Sequence, residues 1–148
     1  MGAGGVSPSI VLALLKSKIS NITISNRTLE KSLFIKKRFP IIQILEWSKI
    51  ASAATNFDII INATSLGLKN EQDFDFTIEN FKKTMKFIDT IYNPLETKMM
   101  KNFRKNGNKT YGGLDMLLYQ AQKSFYLWTK KNPEINDELI NLLVQKLK

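Results

Sequence analysis

The chain has 148 residues, 43% of them hydrophobic, a formal net charge of +9 at pH 7, and neither cysteine nor histidine. That length is one domain's worth, enough for a substantial core and too short for two ordinary domains. The missing residue types exclude disulfides, thiolate sites and the commonest metal ligand and acid/base group, so no metal is expected and any catalysis falls to Lys, Asp, Glu, Tyr or Ser. No apolar stretch nears the length of a membrane span and no signal peptide is evident, which makes a cytoplasmic location the expectation. The charge alone would suit a nucleic acid, but the lysines are scattered, with only the pairs Lys36-Lys37, Lys82-Lys83 and Lys130-Lys131, and no basic stripe alternates with aromatics. No nucleic-acid partner is expected.

In chain order, Met1-Gly2-Ala3-Gly4-Gly5-Val6 comes first, a glycine-rich turn that opens a helix. Glycines at positions 2, 4 and 5 permit positive φ and let a pyrophosphate approach the backbone. Ser7 offers an N-cap and Pro8 suits the first helical position, ahead of the apolar run Ile10, Val11, Leu12, Leu14 and Leu15. A helix N-terminus with free N–H groups favours an anion. Asn21–Ser25 reads as a β-branched strand that delivers Asn26-Arg27-Thr28 about twenty residues past the glycines, where a dinucleotide fold reads the adenosine ribose. An acidic residue there would select NAD; Arg27, with Lys31 one turn on, would pair with the extra phosphate of NADP.

Leu29–Arg38 has helical character that Pro40 ends, and Ile41–Ile44 is a second apolar strand. A short helical stretch from Glu46 to Ala54 leads to Phe57–Asn62, whose aliphatic run suits a strand buried on both faces. Then follow the strand Lys86–Asp89, a helix from Leu95 to Lys105, an extended piece at Lys109–Tyr111, and helices over Leu114–Lys130 and Glu134–Lys148. This alternation indicates an α/β parallel sheet in a single domain spanning residues 1–148. Ligands bind at the carboxyl edge of such a sheet, which places Asn62–Gly67 and Asp89–Pro94 beside the glycine turn. There Asn62 and Thr64 either meet a cofactor or satisfy their own turn.

The ordered blocks Gly2–Gly5, Asn26–Thr28, Ile61–Gly67, Asp89–Thr97 and Gly113–Ala121 together resemble the NADP-binding, C-terminal domain of the shikimate dehydrogenase family across nearly the whole chain. The resemblance implies a Rossmann-like doubly wound parallel sheet with two C-terminal helices. It also implies that Gly2, Ala3, Gly4, Gly5 and Val6 hold the pyrophosphate and that Asn26, Arg27, Thr28 and Lys31 hold the adenosine phosphate of NADP. Asn62 and Thr64 fall at the cofactor edge, Thr90 and Gly113 fall near the nicotinamide, and Tyr92 and Gln120 contact the substrate. Gln120 lies on a helix whose Leu114, Leu117, Leu118, Ala121 and Phe125 are expected to face a core, so a solvent-facing amide is the competing reading.

The implied reaction is reversible hydride transfer between NADP and shikimate, giving 3-dehydroshikimate. The family's catalytic Lys and Asp belong to a substrate domain with no counterpart here, so no catalytic residue is assigned to this chain and the small-molecule substrate is expected to be held through that absent domain. Met1 stands where the family has the end of an apolar first strand. A truncated fragment lacking that strand, inactive alone, is therefore expected, with unpaired backbone groups and a slot where the strand would lie. A stand-alone NADP-binding or interaction module that needs a partner is the alternative. Shikimate versus quinate and the oligomeric state are left open.

Overall fold

The computed structural model describes residues 1–77 and 82–147. Its helices are α1 (Ser7–Lys16), α2 (Leu29–Arg38), α3 (Ile50–Ala53), α4 (Lys98–Lys105), α5 (Leu114–Thr129) and α6 (Asp137–Leu147). The strands are β1 (Thr23–Ile24), β2 (Gln43–Ile44), β3 (Ile59–Asn62), β4 (Lys86–Asp89) and β5 (Lys109–Tyr111). All pairings are parallel. β1 pairs with β2 in one sheet, while β3, β4 and β5 form a second sheet in that order.

Met1 and Gly2 join the two sheets. The Met1 amine donates to Ile61 O at 2.7 Å and Ala63 N donates to Met1 O at 2.8 Å, while Gly2 N donates to Ser25 O at 2.7 Å. These two residues thus occupy a strand position between β1 and β3, giving the spatial order β2, β1, Met1–Gly2, β3, β4, β5 of a doubly wound sheet. Behind them, toward the N-terminal ends of β1 and β3, runs the expected slot: a cavity of about 370 Å³ lined by Thr23, Ile24, Ser25, Ile59, Ile60 and Ile61 among others.

A hydrophobic cluster lies on each side of the slot. Ala3, Val11, Ile22, Ile24, Ile35 and Ile42 pack together on the β1–β2 side. Ala54, Ile60, Met85, Phe87, Met99, Met100 and Phe103 form the other, where the Phe87 and Phe103 rings stack at 4.5 Å. The α4 pattern explains its place, since Met99, Met100 and Phe103 fall on one face and the Thr97 hydroxyl caps the helix by accepting from Met100 N at 3.3 Å.

Several local expectations are corrected. Ser7 is not the N-cap: Val6 takes that place, and the buried Ser7 hydroxyl donates to Gly2 O at 3.0 Å, bracing the glycine turn from within the first helical turn. The second strand shrinks to Gln43–Ile44 because Ile42 N closes a turn onto Phe39 O. The 46–54 stretch breaks into a 3-10 turn, the four-residue α3 and another 3-10 turn. β3 is not buried on both faces: Ile60 and Asn62 are buried, but Ile59 is 38% exposed beside the slot. The helix expected from Leu95 starts at Lys98, after its Thr97 cap. The last helix starts at Asp137 rather than Glu134, since the Asn136 side chain accepts from Leu139 N, and its expected end at Lys148 lies outside the described residues. On α5 only Leu118 is buried, with Ala121 and Phe125 exposed, so the helix does not present the expected apolar face to a core within this chain.

Burial lowers the Met1 amine from pKa 8.0 to about 6. The unfolded chain therefore takes up this proton first as pH falls below 8, so the associated stability is full above pH 8 and is lost as pH drops through about 6. The expected size is roughly 2 to 3 kcal/mol. Denaturant unfolding of the chain with Met1 retained, checked by intact mass, should show stability rising from pH 6 to 8, and an Nα-acetylated sample should lack that rise.

Candidate functional site

A groove of about 270 Å³ lies at the carboxyl ends of β1, β2 and β3, lined by Gly2, Ala3, Gly4, Asn26, Arg27, Thr28, Lys31, Trp47, Ala63, Thr64 and Ser65. The three glycines of the turn serve different ends. Gly2 has φ +98°, and a Cβ there would collide with the Ala63 carbonyl, whose carbon lies 2.6 Å away, and with Thr64 Cγ2 at 2.9 Å. Gly4 and Gly5 do not take the positive φ expected of them; a Cβ on either would meet nothing within 4 Å. Their bare backbone faces open space at the start of α1, which is the clearance an anion needs to reach helix N–H groups. Val6 caps that helix but does not line the groove.

Asn26 ties the turn to the next loop. Its Oδ1 accepts from Ala3 N at 3.1 Å and its Nδ2 donates to Thr28 O at 2.9 Å, so the side chain is structural while its position fixes Arg27. Arg27 and Lys31 are exposed on the groove's rim and have no carboxylate partner among the described residues. Two unpaired cations beside a glycine turn favour a second phosphate at that end. Ala63 and Ser65, from the Asn62–Gly67 loop expected at this edge, and Trp47, which was not singled out from the sequence, complete the groove. Trp47 lies three residues beyond the end of β2; its ring is held by Phe74, stacked at 6.4 Å, and by Phe76, edge-on at 5.6 Å.

Asn62 is placed differently from Thr64. Fully buried, Asn62 donates from Nδ2 to Leu66 O at 3.1 Å and to Asp89 Oδ1 at 3.0 Å, and its Oδ1 accepts from Thr64 N and from the Thr64 hydroxyl at 2.7 Å. Asp89 Oδ1 also accepts from Ile91 N, and Oδ2 accepts from Thr97 Oγ1 at 2.8 Å. Burial raises the Asp89 pKa, and the three donors from Ile91, Thr97 and Asn62 oppose that rise. This network fixes the two loops that follow β3 and β4, leaving Thr64 on the groove and Asn62 beneath it.

Thr90 and Gly113 lie side by side: Gly113 N donates to Ile91 O at 2.9 Å, and a Cβ on Gly113 would run into the Thr90 carbonyl. The glycine thus allows the start of α5 to press against the loop after β4. Tyr92 and Gln120 are exposed, and neither lines the groove. Among the described residues, no group of three or more His, Cys, Asp or Glu is placed to hold a metal, and no helix is long and apolar enough to cross a membrane.

Gly2→Ala should destabilise the fold by about 1–3 kcal/mol, from backbone strain together with the Ala63 clash, whereas Gly4→Ala should leave the unfolding midpoint unchanged. Asn62→Ala should cost about 1–3 kcal/mol for each buried group it leaves unpaired, read from urea unfolding.

The pattern of the family described as Shikimate / quinate 5-dehydrogenase matches residues 1–101, and that of the Shikimate 5'-dehydrogenase C-terminal domain matches residues 113–136. Shikimate dehydrogenase (NADP(+)) of Pelagibacter ubique is 47% identical over 143 residues, covering 97% of this chain and 52% of that protein. Among solved structures, the shikimate dehydrogenase of Aquifex aeolicus superposes with a TM-score of 0.79 at 32% identity, over 90% of this chain and 48% of the other. The Thermus thermophilus shikimate 5-dehydrogenase in complex with NADP(H) and shikimate gives 0.77 at 27% identity, over 90% and 49%. The chain spans about half the length of the curated relatives it matches. With the glycine turn, the groove and the match over residues 1–101 in agreement, the chain belongs to the shikimate and quinate 5-dehydrogenase family.

Proposed function

We propose that this chain is the NADP-binding part of a shikimate dehydrogenase and serves reversible hydride transfer between NADP and shikimate in aromatic amino-acid biosynthesis. The observation that carries the reading is the groove itself: an open glycine backbone at one end and the unpaired Arg27 and Lys31 at the other. Gly2 to Val6 would hold the pyrophosphate at the N-terminus of α1, and Arg27, Lys31 and Thr28 would take the adenosine phosphate, with Asn26 holding that loop to the turn. When bound, NADP accepts or delivers the hydride.

The remaining roles follow the loops at the same sheet edge. Thr90 and Gly113 would meet the nicotinamide end through backbone groups, Thr64 would border the cofactor, and Tyr92 and Gln120 would reach the substrate. The chemistry also needs a group that moves the hydroxyl proton. The proposal places that acid/base group, and most of the substrate contacts, in a substrate domain outside these 148 residues, and puts the enzyme in the cytoplasm. A relative solved with both NADP(H) and shikimate supports the pairing of ligands.

Arg27→Ala should weaken NADPH binding by about 1–3 kcal/mol while leaving NADH nearly unaffected, measured by fluorescence titration of the purified chain. Equal losses for both nucleotides would show that Arg27 does not read the extra phosphate. Gly4→Ala, which meets no protein atom, should lower affinity for both nucleotides alike if the turn carries the pyrophosphate.

A further inference from the structure

Apart from Trp47, every described residue lining the groove is a glycine, an alanine, or a polar or charged residue. The phosphates of a dinucleotide find counterparts there, in the open glycine backbone and in Arg27 and Lys31. A purine base asks for something else, a flat apolar surface on which to stack. Among the described residues lining the groove, Trp47 alone brings an aromatic ring.

Trp47 reaches the groove from the nucleoside end. It lies three residues beyond β2, and β2 pairs directly with β1, whose carboxyl end leads into Arg27. The glycine turn lies on the other side of β1, where Gly2 N donates to Ser25 O. The strand that carries the indole is thus separated by β1 from the turn that would hold the pyrophosphate, as suits the base of an extended nucleotide.

The ring is fixed before any ligand arrives. Trp47 opens the 3-10 turn Trp47–Lys49, and its ring stacks on Phe74 with an interplanar angle of 13°, while Phe76 meets it edge-on and the two phenyl rings lie 5.4 Å apart. Phe74 and Phe76 come from the segment between β3 and β4, so the trio joins that segment to the loop after β2. A side chain held this way has little rotamer freedom left to lose on binding.

The chemistry of the contact follows from the indole nitrogen. Nε1 is buried and has no hydrogen-bond partner among the described residues, while Trp47 as a whole is half-buried. The part of the side chain open to the groove is therefore carbon, which recognises a ring by stacking and dispersion rather than by donating a hydrogen bond. Such a contact serves any nucleotide carrying the base, with or without the extra phosphate that Arg27 and Lys31 would read.

We propose that Trp47 is the contact for the adenine base: the carbon surface of its indole, backed by Phe74 and Phe76, forms the wall of the groove against which the base packs. The inference rests on the reading of the groove as an NADP site and adds to it the residue that holds the base.

The test uses the 148-residue chain carrying Trp128→Phe; Trp128 is 82% exposed and outside the groove, and its removal leaves Trp47 as the single tryptophan. ADP, which has the base and two phosphates but no nicotinamide, should quench Trp47 emission saturably, with the same Kd by calorimetry. Trp47→Ala should weaken NADPH, NADH and ADP alike by about ten-fold or more, the loss of one base–aromatic stack. Inorganic pyrophosphate, which has no base, should bind that variant as before, and Trp47→Phe should recover most of the lost ADP affinity. The proposal is overturned if ADP saturates the site without changing Trp47 emission, or if Trp47→Ala weakens pyrophosphate as much as ADP, which would make the residue structural. It is also overturned if Trp47→Phe binds ADP no better than Trp47→Ala. Selective loss of NADPH in Arg27→Ala beside unchanged affinities in Trp47→Ala would overturn this inference and leave the NADP reading standing, whereas a folded chain that binds none of these nucleotides would overturn both.

Discussion

Three main-chain hydrogen bonds hold this fold together at its middle. Met1 bonds to Ile61 and Ala63 on one side and Gly2 bonds to Ser25 on the other, so two residues do along one short stretch what a full central strand does along its length. The geometry of the binding edge depends on that bridge. The bridge sets the height of β1 against β3, and with it the distance between the Arg27 loop and the Thr64 loop across the groove. Because the Gly2 backbone must pass under the Ala63 carbonyl with φ +98°, the same residue that joins the sheets also begins the turn. Stability and binding geometry are therefore coupled at one position.

A second constraint acts one layer below the groove. Asn62, Asp89 and Thr97 sit on three successive elements of the larger half, and each of them is buried. A buried carboxylate is costly unless donors surround it, and here a backbone N–H, a hydroxyl and an amide do so. The result is a rigid join between the loop after β3, the loop after β4 and the cap of α4. Through Ile91 the join reaches Gly113 and the start of α5. Polar residues at a strand's end that read as ligand contacts can thus serve mainly to aim the loops that make contact.

Large apolar side chains are exposed on α2, where Phe34 is 71% exposed, and on the two C-terminal helices. On α5, Tyr119, Phe125, Leu127 and Trp128 are all exposed, Trp128 by 82%, and α6 leaves Leu142 exposed. Residues with this pattern normally face another layer. The slot meets the dinucleotide groove at Gly2 and Ala63, which line both.

Much was legible in the sequence because its signals are local. The glycine turn, the β-branched strand that delivers Arg27, the parallel alternation of strands and helices, and the blocks shared with the family all lie within short windows whose chemistry does not depend on distant residues. Element ends were less legible because single hydrogen bonds decided them: the Ser7 hydroxyl donates to Gly2 O, Thr97 Oγ1 accepts from Met100 N and Asn136 Oδ1 accepts from Leu139 N. Trp47 was passed over because its place in the groove follows from β2 lying beside β1, which is a tertiary fact. The sequence by itself determined the strand and helix alternation, the family, and the residue types that suit a phosphorylated nucleotide, since side-chain chemistry and periodicity are written into the chain. Only the tertiary structure decided that Gly4 and Gly5 face open space while Gly2 is locked, that Asn62 is buried while Thr64 is presented, and that β1 and β3 face each other across a slot, because clearance, burial and pairing are relations between residues far apart in the chain.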